Sequence, residues 1–172
     1  MTTPTTPPSA PAHSPPHRPD HTDTTLRVRR LDERAALPKA HSRHAAGLDL
    51  AACLPRVQHT GPITLEPGAI AKVPTGIAIA IEPGFEGQIR PRSGLATTHA
   101  ITLPNAPGTI DADYRGELFV ALINLGRDPF TIEHAMRIAQ LVIAPVARAD
   151  ILETDELDPT DRADAGFGST GL

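Results

Sequence analysis

Tryptophan is absent from this 172-residue chain, and tyrosine and cysteine each occur once, at Tyr114 and Cys53. A single cysteine excludes an intrachain disulfide and a thiolate metal cluster, and it fits a reducing compartment. Cys53 lies in the apolar run Leu50-Ala-Ala-Cys53-Leu54 with no histidine close by in sequence. It reads as a small core hydrophobe and not as a nucleophile. No apolar stretch approaches the roughly 20 residues that span a bilayer, so a soluble, cytoplasmic protein is expected. A basic stripe is missing too: 16 Lys and Arg are interspersed with 20 Asp and Glu, for a net charge of -4. That excludes a surface built to neutralise a nucleic-acid backbone.

With 40% hydrophobic residues the chain can bury one core but not two. Residues 1–24 stand apart, holding seven of the 19 prolines and no large apolar residue after Met1. Such a stretch buries too little surface to offset its ordering entropy, and it reads as a disordered leader. It has no apolar core of a secretory signal and almost no arginine, which argues against an organelle transit peptide. His13, His17 and His21 recur in it, but the intervening prolines forbid a helix that would gather them on a metal. The expected organisation is this leader, a β domain over 25–150, and a flexible C-terminal arm over 151–172.

From Leu26 onward, short apolar segments alternate with turn signals. Strands are predicted at 26–31, 63–65, 69–74, 76–82, 88–90, 118–124 and 137–146, punctuated by Thr-Gly at 60 and 75 and Pro-Gly at 67 and 83. Asp49 falls within a further apolar strand, where an unpaired carboxylate is costly and needs a partner. An all-β sandwich or jelly-roll-like barrel follows. A helical turn is expected after Ser93, with Ser93 as its N-cap. Its unpaired N–H groups, with the bidentate fork of Arg92, suit an anion.

The densest chemistry lies in Leu103-Pro-Asn105-Ala-Pro-Gly108-Thr-Ile-Asp111-Ala-Asp113-Tyr114-Arg-Gly116-Glu117. Pro104, Pro107 and Gly108 mark a turn, and period-two alternation predicts Asp111 and Asp113 on one strand face. Asn105 can donate and accept at once, so a polar reader and a candidate base share one hairpin. In a strand apolar on both sides, Gln140 demands hydrogen-bond partners.

This run resembles the third motif of the trimeric dUTPases. Four further segments match that family in order: Ala46-Gly47-Leu48-Asp49-Leu50, Pro91-Arg92-Ser93-Gly94-Leu95-Ala96, Arg137-Ile138-Ala139-Gln140-Leu141-Val142, and Arg162 through Gly171. The resemblance spans about residues 25–171 and implies a dUTPase-like β-clip, a distorted barrel assembling as a homotrimer with shared active sites. It implies hydrolysis of dUTP to dUMP and pyrophosphate, with roles in dUMP supply and in keeping uracil out of DNA.

By the same resemblance Asp111 activates the attacking water, and Ser93 and Gln140 lie at the reacting phosphates. Arg92, Ser93 and Gly94 hold the triphosphate. Asn105 reads uracil, with Gly108, Thr109 and Ile110 supplying the hairpin around it, and Tyr114 packs on the deoxyribose. Arg162 reaches the terminal phosphate, Phe167 stacks on uracil, and Gly168, Ser169 and Thr170 close over the phosphates. Asp49 faces a hydrated Mg2+ carried by the substrate, so no protein metal cage is expected. Arg137 is expected as a structural partner of a carboxylate or of a chain terminus at a subunit contact. Ala135, Ala163 and Ala165 stand where the family usually has glycine, and any positive φ there would be strained. A related dCTP deaminase, or a dUTP-binding regulator on the same scaffold, are the alternative readings.

Overall fold

The computed structural model describes residues 24–56, 61–160 and 163–164. The strands are β1 (Arg27–Arg30), β2 (Leu48–Ala51), β3 (Ile63–Leu65), β4 (Ile70–Ala80), β5 (Phe85–Arg90), β6 (Ile101–Thr102), β7 (Gly108–Ile110), β8 (Glu117–Asn124), β9 (Phe130–Ile132) and β10 (Arg137–Pro145), with one helix, α1 (Ser93–His99). They form two four-stranded sheets, β1-β4-β8-β6 and β2-β10-β5-β7, and a two-stranded ribbon, β3-β9. Every named strand pair is antiparallel. The all-β class therefore holds, although the sheets do not join into one closed barrel.

Burial alternates along strands such as β8 even where the sequence is apolar throughout. In β8, Leu118, Val120, Leu122 and Asn124 are buried while the residues between them are partly exposed. From the second sheet, Leu50, Ile89, Ile138 and Leu141 meet them in one apolar cluster. Burying each such side chain contributes roughly 1.5–3 kcal/mol. The polar members are satisfied: Asn124 Nδ2 donates to Leu65 O and Asp128 O, each at 2.8 Å. Cys53 joins this core, and burial pushes its thiol pKa up, with the nearby Asp32 charge adding to the shift.

Three local expectations are corrected. The Thr75-Gly76 turn signal does not separate two strands; it is a bulge inside β4, between Pro74 and Ala78. Gly76 adopts φ +67 there, and a Cβ would come within 2.8 Å of the Cys53 Sγ. Its N–H is held by Glu117 Oε1 at 2.8 Å. Ser93 is the first residue of α1 rather than its cap; Arg92 occupies the N-cap, with no side-chain cap bond. Asp111, expected on one strand face with Asp113, lies instead in a turn beyond β7. The boundaries at 24 and 150 meet only part of the structure, because residues 1–23 lie outside the described residues. In the arm, Ile151, Leu152 and Leu157 are 98%, 86% and 86% exposed.

Candidate active site

Antiparallel register sets three polar side chains in a row. Gln140 on β10 lies opposite Asp49 on β2 and, on its other side, opposite Arg90 on β5. Residues directly opposite on neighbouring strands share a face, so all three project from the same side of the sheet. Gln140 Nε2 donates to Asp49 Oδ1 at 3.2 Å. That contact needs Gly47, since a Cβ there would stand 2.9 Å from Gln140 Oε1.

Asp49 is the hub of the site. Its side chain is 7% exposed, and Oδ2 accepts from Arg137 Nη1 at 3.0 Å, with His41 Nε2 at 3.2 Å. Arg92 Nε lies 3.5 Å from Oδ1, and Arg92 Nη1 donates to Arg137 O at 2.9 Å. The partner that an apolar strand demanded of Asp49 is thus a pair of arginines and an amide, and Arg137 meets its carboxylate as expected. Nothing in the sequence marked His41, which comes from the loop before β2.

Arg92 leads directly into α1, whose first residues are Ser93 and Gly94. The first turn of any helix leaves N–H groups without intrahelical acceptors. Ser93 also lines a cleft of about 550 Å³ with Arg90, Pro91, Ala106 and Pro107, which brings it to the turn carrying Asn105; the expected hairpin is not formed, because β6 pairs with β8 and β7 with β5 in the other sheet. Asn105 is exposed, and its amide nitrogen would lie 3.1 Å from a Cβ at Gly108. A glycine therefore leaves room beside the amide in that turn.

Asp111 is placed differently from the alternation argument. Strand β7 ends at Ile110, and Asp111 to Tyr114 is a turn closed by Tyr114 N–H to Asp111 O at 3.1 Å. Arg115 Nη1 pins it, donating to Ala112 O and Tyr114 O at 2.7 Å each. Asp111 and Asp113 are exposed and line a groove of about 820 Å³ that Thr109, Arg27 and Arg148 also line. Tyr114 is 41% exposed, not packed in the core. Its hydroxyl donates to Glu117 O at 2.8 Å, and its ring covers Gly116, where a Cβ would meet the Tyr114 hydroxyl oxygen at 2.5 Å.

Within one chain these pieces do not converge. Asp49 and Asp111 belong to opposite edges of the sheet β2-β10-β5-β7. Three interstrand spacings separate them by at least about 14 Å. Asp49, Arg92, Arg137 and Gln140 cluster at one edge, Ser93 shares a cleft with Ala106 and Pro107 beside Asn105, and Asp111 and Tyr114 stand in a separate turn beyond β7. Arg162, Phe167, Gly168, Ser169 and Thr170 lie outside the described residues.

Among the described residues, no group of three or more His, Cys, Asp and Glu is placed to hold a metal. A carboxylate offers about four acceptor positions, and the contacts to Asp49 occupy most of them. Few acceptor positions of Asp49 therefore remain open to a further partner. No helix among them is long and apolar enough to cross a membrane.

Two packed antiparallel sheets that carry an arginine pair beside a helix start, with Asn105 and Asp111 exposed at the two ends of β7, define a protein of the β-clip class. The family model for dUTPase matches residues 33–171. The chain belongs to the dUTPase family. It is 55% identical over 148 residues to the deoxyuridine 5'-triphosphate nucleotidohydrolase of Syntrophotalea carbinolica, covering 86% of this chain and 97% of that protein. Among solved structures, a dUTPase variant of Staphylococcus bacteriophage 80alpha with dUpNHpp superposes with a TM-score of 0.76 at 26% identity, over 86% of this chain and 99% of that one. A dUTPase variant of phage phi11, described with a structural Mg(II) ion, matches with a TM-score of 0.67 at 25% identity, over 77% and 97% of the two chains.

Proposed function

We propose that this chain hydrolyses dUTP to dUMP and pyrophosphate, using Asp111 as general base for one water attacking the α-phosphorus in line. The observation that carries the reading is the presence, on a chain of this family, of an arginine cluster organised by Asp49 and of exposed Asn105 and Asp111 at the two ends of β7. A base positioned on water contributes roughly 10²–10⁴ in rate. Asp111 is exposed on a pinned turn, so its carboxylate is free to take a proton from water.

Because Asp49 and Asp111 stand at opposite sheet edges, the complete site forms between chains, and a homotrimer supplies three of them. Arg92 and the first turn of α1 hold phosphate oxygens through charge-assisted hydrogen bonds. Ser93 and Gln140 stand at the reacting phosphates. Gln140 keeps the Asp49 carboxylate in register with the arginines. Asn105 complements the donor and acceptor edge of uracil, and the backbone of Gly108, Thr109 and Ile110 beside it excludes a 5-methyl group. Tyr114, its hydroxyl tied to Glu117 O, offers a flat face to the deoxyribose.

Magnesium carried in with the substrate would offset the charge of its phosphates. Asp49 would face it through water. Over this assembly the segment with Arg162, Phe167, Gly168, Ser169 and Thr170 closes on the phosphates and base, excluding bulk water. The domain division is a leader over 1–24, the β domain over 25–150 and the arm over 151–172, and the enzyme works in the cytoplasm. Pyrophosphate release from dUTP, dCTP, dTTP and UTP, with magnesium and with EDTA, tests the reading. Turnover of dUTP alone, lost in EDTA, supports it; turnover of dCTP or none at all contradicts it.

A further inference from the structure

Strand β5 carries a ladder that the mechanism above does not use. Gly87 and Ile89 are buried, so Glu86, Gln88 and Arg90 share the opposite face. Gln88 Nε2 donates to Glu86 Oε1 at 2.7 Å. Its Oε1 then accepts from Arg90 twice, from Nε at 3.0 Å and from Nη2. A carboxamide can do this because it holds donors at one end and an acceptor at the other. The long Arg90 side chain is thereby oriented before any ligand arrives, with Nη1 left over.

Arg90 also differs from its neighbours in charge balance. Arg92 and Arg137 both lie within 4.0 Å of Asp49, whereas Arg90 forms no ion pair among the described residues. It stands beside Gln140 in the register and lines the cleft that holds Ser93. Three guanidinium groups thus share this side of the sheet with two carboxylates, Asp49 and Glu86. The excess positive charge favours an anion, and a forked donor suits phosphate oxygens.

We propose that Arg90 is a phosphate-contacting residue of the nucleotide site, bracketed by Gln88 and reaching the substrate's phosphate chain from the wall of the cleft. The inference rests on the dUTP reading above. Sequence inspection passes over Arg90 because it sits one residue before the Pro91-Arg92-Ser93-Gly94 motif and looks like a solvated strand end.

The test compares the full chain with Arg90→Gln and Arg90→Lys in two measurements: steady-state dUTP turnover with magnesium, and calorimetric binding of magnesium pyrophosphate and of deoxyuridine. Loss of a charge-assisted contact raises KM for dUTP about tenfold or more in Arg90→Gln. It weakens pyrophosphate binding in parallel and leaves deoxyuridine affinity within about twofold, while Arg90→Lys retains most of both. Unchanged KM and pyrophosphate affinity in Arg90→Gln would overturn the proposal. So would equal weakening of pyrophosphate and deoxyuridine, which marks a structural effect. If the unaltered chain releases no pyrophosphate from dUTP, the functional reading fails on its own, and the pyrophosphate titrations still decide the role of Arg90.

Discussion

Gln140 and Asp49 are joined across β10 and β2, the amide Nε2 donating to Oδ1 at 3.2 Å, while the other carboxylate oxygen takes Arg137 at 3.0 Å. One buried acid thereby holds an amide and two arginines on a single sheet face. Its removal strands the arginines without a counter-charge.

Asp49→Asn therefore reduces both stability and activity. Arg92 and Arg137 are 23% and 51% exposed, so solvent absorbs part of the loss. A cost of about 1–3 kcal/mol is expected, and urea unfolding measures it. Unchanged stability would show that the cluster contributes little to the fold.

Ala135 lies at φ +65, and Ala163 at φ +45, in the region that favours glycine. Ala135→Gly relieves backbone strain but gains unfolded-chain entropy, for a net stabilisation of about 0.5–1 kcal/mol. Calorimetry should show Tm rising by roughly 2–4 °C for each kcal/mol. A lower Tm would mean that entropy outweighs strain at this turn.

Gly76→Ala goes the other way. It combines φ +67 with a Cβ 2.8 Å from Cys53 Sγ and 2.9 Å from the Ala35 Cβ. Strain and overpacking together cost about 2–4 kcal/mol, read from chemical denaturation. The same packing shields Cys53, whose thiol pKa is raised by burial. The unfolded chain then ionises first as pH rises, so stability falls above the ordinary thiol pKa, and Cys53→Ala flattens that alkaline decline. A decline of unchanged steepness in Cys53→Ala would place its origin elsewhere.

The sequence made the strands legible where apolar runs were bounded by turn signals, as in 118–124 and 137–146. It failed where one residue overrode the pattern. Thr75-Gly76 looks like a turn between strands, yet the glycine's left-handed backbone serves as a bulge within β4. The short strand Phe130–Ile132 offers too few residues for a period to show. Asp111-Ala-Asp113 has the spacing of one strand face, but the backbone turns after Ile110, and only tertiary bonds such as those from Arg115 fix it. Asp49, Arg92 and Gln140 were identifiable as residues needing partners or suiting an anion. Their convergence was not, because it depends on register between strands nearly 90 residues apart. His41 and Arg90 had no local signature at all.

If each site draws Asp111 from one chain and Gln140 from another, two inactive variants should complement. Co-expression of Asp111→Asn with Gln140→Leu yields mixed assemblies in which some sites retain both native residues, and turnover returns to a measurable fraction. Mixed assemblies as inactive as either parent would place both residues in one chain's site.

The most direct measurement is dUTP turnover by Asp111→Asn beside its affinity for dUpNHpp. Loss of the base should lower kcat by about 10²–10⁴ while analogue affinity stays within a few fold. Turnover within a few fold of the unaltered chain would contradict the role of Asp111 and, with it, the proposed mechanism.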